Sequence, residues 1–91
     1  MVAYTAKNIN QAFALADGDT LYIDLNYPVR IVVGAVSTDV TVAIDIMGAG
    51  NFRDMDPVIT STTTQISADI WPPKTNYKFT GGASEVRVYG V

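Results

Sequence analysis

Hydrophobic side chains recur at every second position over most of this chain. Leu21, Ile23 and Leu25 alternate with Thr20, Tyr22 and Asp24, the pattern of a strand with one face in a core and one in water. Val29, Ile31 and Val33 repeat it after Tyr27-Pro28, with Arg30 and Val32 on the other face. Val40, Val42, Ile44 and Ile46 then alternate with Thr41, Ala43 and Asp45. Gly34 and the turn-forming Ser37-Thr38-Asp39 separate the last two runs, which predicts a hairpin over 29–46.

The flanking segments follow the same logic less cleanly. NINQAFALADGD fits a short helix capped by Asn8, with Ile9, Phe13 and Ala16 on one face. It also fits a strand with Ile9, Phe13 and Leu15 inward, and the strand is preferred. Asp17-Gly18 is a strong two-residue turn signal, predicting a hairpin into DTLYIDL. GAGNFRDMDP, residues 48–57, reads as the main loop because its glycines, Asn51 and Pro57 break any period. VITSTTTQISA returns to β until Pro72-Pro73, which offers no ladder donor and restricts the residue before it. Tyr77 and Phe79 then match Val86 and Val88 across Gly81-Gly82, a predicted closing hairpin with Lys78, Glu85 and Arg87 on the wetter face. The sum is an all-β protein: an antiparallel β-sandwich or small barrel of about seven short strands.

With 91 residues there is volume for one core, so residues 1–91 form a single β domain with an expected radius of gyration of ~12 Å. Hydrophobic residues make up 48% of the chain and charged ones 16%, below the usual quarter. The missing charge is missing from the surface, which is then either an assembly face or rich in Thr, Ser, Asn and Gly. The net charge of −3 resides wholly in residues 1–46, and no Lys/Arg run exists. Nucleic acid and anionic membrane are therefore not expected partners, since both need a basic footprint.

The chain has no His and no Cys. Ser-His-Asp and Cys-His nucleophile systems cannot be assembled, nor can a zinc site of the usual ligands. A carboxylate pair would be the remaining hydrolytic route, but Glu85 is the one glutamate and the aspartates sit mostly beside turns. No enzyme and no cofactor are expected. Asp17-Gly18-Asp19 and Asp54-Met55-Asp56 suit hard oxygen-ligand chemistry; local backbone bonding by turn aspartates explains them more simply, and no metal site is assigned. Ser61 to Thr64 reads either as a hydroxyl array or as a solvated strand edge. Trp71, near Tyr77 and Tyr27, reads as a sugar-stacking platform, an anchor for a partner's pocket, or a packing plug, with the plug preferred.

FALADGDTLYIDL, the apolar run after it, and IWPPKTNYKFTGGASEVRVYGV together resemble small β-structured proteins of tailed-phage virions. In those proteins a closing segment runs proline, a Tyr-Lys/Arg-Phe strand, a glycine turn and a short strand ending in Gly. Pro72-Pro73, Tyr77-Lys78-Phe79, Gly81-Gly82 and Val86–Gly90 hold those places. The resemblance implies a non-enzymatic virion component; MVAYTAKN lacks the charged start and apolar core of a signal peptide, so synthesis in the host cytoplasm without a leader is expected. Foremost is a capsid decoration (cement) protein seated on the major capsid protein as a homo-oligomer, with a trimer the natural guess. The rival is a carbohydrate- or receptor-binding module of a tail fibre, using Trp71, Tyr77 and Tyr27. The resemblance carries no functional residues. The candidate partner contacts come instead from the long loop and the proline turn: Asn51, Phe52, Arg53, Met55 and Trp71.

Overall fold

Period-two alternation becomes two packed sheets in the computed structural model, which describes residues 1–35, 38–45, 47–54, 66–67 and 70–90. Ten short strands lie among them: β1 (Ala3–Ala6), β2 (Ala12–Leu15), β3 (Thr20–Ile23), β4 (Val29–Ala35), β5 (Thr41–Asp45), β6 (Phe52–Asp54), β7 (Ile66–Ser67), β8 (Ile70–Trp71), β9 (Thr75–Thr80) and β10 (Ser84–Gly90). The first sheet has the order β1-β3-β9-β5-β6. The second has the order β2-β10-β4-β7, with β8 also pairing β4. All pairings are antiparallel except β1 with β3. The architecture is the expected all-β sandwich, and no helix occurs among the described residues.

The core lies between the sheets. Leu21, Ile23, Val42, Tyr77 and Phe79 enter it from the first sheet; Leu15, Ile31, Val33, Trp71, Val86 and Val88 enter from the second. Trp71 packs on Tyr77 with ring centroids 4.6 Å apart and on Phe79 at 6.3 Å. The radius of gyration is 11.8 Å.

The predicted hairpins are not hairpins. β9 lies in the first sheet and β10 in the second, so the chain crosses the core at Gly81-Gly82 instead of folding back on its neighbour. Tyr77 and Phe79 face Val86 and Val88 across the interior and share no ladder with them. The same holds for β4 and β5, and for β2 and β3 across Asp17-Gly18. Alternation reports which face of a strand is buried, and strands opposed across a core satisfy it as well as strands side by side.

Local geometry explains the Asp17-Gly18 case. Asp19 N–H donates to Ala16 C=O at 3.1 Å, with Gly18 at φ 87° and Asp17 at negative φ. A positive φ at the second central residue alone is the type II pattern, whose twist splays its flanking strands; both two-residue hairpin types need positive φ at the first central residue, which Asp17 does not have. The strand reading holds for 12–15 but not for Ile9, which lies in a turn before β2 and is exposed; the expected partner strand does not hold either.

A further correction concerns the segment read as the main loop. Phe52–Asp54 is an edge strand pairing β5, with Asp45 opposite Phe52. The turn between them is held by the Asp45 carboxylate, which accepts the N–H groups of Ala49 (3.2 Å) and Gly50 (3.0 Å). Met55, Asp56, Pro57 and the Ser61–Thr64 row lie outside the described residues.

Candidate assembly surface

A sandwich has two lateral sides where strand edges end, and here they differ in chemistry. On one side the edge strands are β1 and β2, reading AYTA and AFAL. Tyr4 and Phe13 turn inward from the two sheets and meet edge-to-face at 5.8 Å, closing the rim of the core. The outward positions Ala3, Thr5, Ala12 and Ala14 are small and exposed. Neither strand carries a charge or a proline, the devices by which proteins ordinarily discourage pairing at an edge.

On the other side, the first sheet ends in β6, reading FRD. Arg53 is opposite Ile44 and so stands on the core side of the rim, where a charge opposes strand addition. Arg53 and Asp54 are exposed, as is Asn51 in the preceding turn. Phe52 is half-buried on the outer face of the first sheet, with the Lys78 ammonium 5.8 Å from its ring centroid. Thus Asn51, Phe52 and Arg53 share one edge. Trp71 is not with them: it is 2% exposed inside the core, and its buried indole N–H has no hydrogen-bond partner among the described residues. Tyr77 is also buried and donates its hydroxyl to Pro72 C=O at 2.9 Å; burial raises its pKa well above the usual tyrosine value. Of the three aromatics considered for sugar stacking, Tyr27 is exposed and the other two present no ring to solvent.

The aspartate pair at the Asp17-Gly18-Asp19 turn is spent on backbone. Asp19 is 4% exposed and accepts Val2 N–H and Ala16 N–H, both at 2.8 Å. Those bonds, that from Ala16 first, hold its carboxyl below the ordinary aspartate pKa. Asp17 Oδ1 accepts Gly81 N–H at 3.0 Å. No cluster of acidic side chains able to hold a metal ion occurs among the described residues. No helix among them is long and apolar enough to cross a membrane.

The outer face of the second sheet was not legible as a feature in the sequence. There an open trough of about 490 Å3 runs over β10, between β2 and β4. Arg87 lies between Ala12 and Val32, and Glu85 between Ala14 and Gly34. Only the register brings these residues together. Comparison with family models, with curated proteins and with solved structures gave no match to this chain.

Proposed function

We propose that the protein is a non-enzymatic structural subunit of a larger assembly, most specifically a decoration protein bound to the major capsid protein of a phage shell. The observation that carries this reading is the β1/β2 side of the sandwich, with two adjacent edge strands that are uncharged, proline-free and faced with small side chains. An open edge of that kind offers unpaired backbone groups to another chain, and a subunit built into a shell has that edge covered. The low charge content and the exposed Met1, Val2, Met47 and Ile70 support it from the side of composition.

The test is sedimentation at rising concentration, alone and with shells assembled from the major capsid protein encoded in the same genome. The reading expects co-sedimentation with shells, abolished by the double substitution Ala3→Lys with Thr5→Lys, which guards the β1 edge. A protein that stays monomeric at every concentration and pellets with no shell overturns it.

A further inference from the structure

We infer that the outer face of the second sheet is a two-fold contact with a second copy of this chain. The inference rests on the assembly reading above and names one of its contacts. Two cross-strand rows define the face. One runs Ala12, Arg87, Val32; the next runs Ala14, Glu85, Gly34. Glu85 and Arg87 are exposed, and neither forms an ion pair among the described residues. Gly34 leaves a hole, because a Cβ built there would touch nothing within 4 Å.

Let a second copy face the first about an axis that crosses the strands midway between these rows. Each row then meets the other row of its partner. Arg87 opposes the partner's Glu85, and Glu85 the partner's Arg87. Val32 projects toward the partner's Gly34, and Ala12 meets the partner's Ala14. Charge, volume and apolar character all match under one operation, as a self-complementary interface requires. Arg87 is partly preoriented, its guanidinium lying 5.5 Å from the Tyr89 ring.

The face is small. Three strands ~4.8 Å apart give on the order of 300 Å2 a side over these rows, against ~800 Å2 per partner in a standard interface. A free pair is therefore weak, and the contact gains strength when many copies are held on a common support.

The experiment exploits the symmetry of the charges. Glu85→Arg and Arg87→Glu are prepared as separate proteins, with folding checked by thermal unfolding, and sedimentation equilibrium is run to millimolar concentration. Wild type should form dimers. Each variant alone should self-associate at least tenfold more weakly, because like charges now face one another, and an equimolar mixture should recover wild-type association. Gly34→Gln, which fills the hole without altering charge, should also weaken the wild-type dimer. Association that ignores both reversals overturns this contact while leaving the assembly reading intact. A mixture that fails to recover, or a trimer as the basic unit, overturns it too. So does a monomer at all concentrations, and shell binding then decides the broader reading separately.

Discussion

The two ends of the sandwich turn the chain between the same pair of sheets by different physics. At one end, three crossovers crowd together. Gly18 N–H donates to Phe79 C=O at 2.7 Å, Phe79 N–H to Asp19 C=O at 2.9 Å, and Gly81 N–H to the Asp17 carboxylate. Gly81 has φ 110°, and a Cβ on it would lie 2.3 Å from Asp39 C=O; one on Gly82 would lie 2.9 Å from Thr38 C=O. At the other end the turns are built from stiff residues and surface polar groups. Pro72-Pro73 leads into Lys74, whose N–H donates to Ile23 C=O at 2.7 Å and whose ammonium pairs with the exposed Asp24. Gln11 Oε1 accepts Lys7 N–H and Asn8 N–H there. The first end depends on backbone approaching backbone, which tolerates one side chain, hydrogen. The second depends on restricted dihedrals and solvated contacts, which several residue types can supply.

That contrast breaks most sharply at Gly81. Gly81→Val adds a β-branched side chain at positive φ and drives it into a backbone carbonyl, so the cost should be on the order of 3 kcal/mol or more. For a domain of this size that is a fall in Tm of at least ~12 °C. A Tm within ~4 °C of wild type would mean the two crossovers can separate freely, and the contrast would collapse.

Asp19→Asn should come next, because one amide N–H2 must now confront a backbone N–H that the carboxylate accepted. It also tests the sign of the pH dependence. The folded pKa of Asp19 is depressed, so its contribution is fully present above the unfolded value of ~3.9 and is lost as pH falls through the lower folded value. Wild type should therefore lose Tm on acidification below about pH 4, and Asp19→Asn should lose less over that interval. Parallel curves for the two proteins would remove Asp19 from the account. Asp24→Asn is the matching change at the proline end, where the Lys74 hydrogen bond depresses the carboxyl pKa. Because that pair is exposed, the expected change in Tm at neutral pH is slight.

At the small end of the scale, Pro72→Ala should cost no more than ~1 kcal/mol, chiefly by loosening the unfolded chain. Lys74 sits at φ 53°, where a non-glycine residue is strained. Lys74→Gly should therefore change stability by less than ~1 kcal/mol, the relief of strain offsetting the added unfolded-state entropy. Large losses from either would show that the proline end is as tightly built as the glycine end.

Much of the burial was legible in the sequence. Leu21, Ile23, Val29, Ile31, Val33, Tyr77, Phe79, Val86 and Val88 are all core, on the faces that alternation assigned. Pro72-Pro73 does end a strand, and Asp17-Gly18 does turn the chain. Pairing was another matter: three predicted hairpins are crossovers between sheets, and the segment assigned to a long loop contains the hairpin that joins β5 to β6. The candidate contacts divided likewise, Phe52 and Arg53 falling on an edge strand and Trp71 inside the core.

By itself the sequence determined which side chains of the alternating runs are inside, since period two and the transfer of apolar area from water are local properties of each strand. It determined where the chain turns, through glycine, proline and aspartate acting on their own dihedrals. Tertiary structure alone decided which strands are neighbours, because backbone hydrogen bonds are the same for every strand and carry no partner's address. It also placed Glu85 and Arg87 in adjoining rows between Ala12, Ala14, Val32 and Gly34, a grouping drawn from three strands distant in the chain and joined only by register.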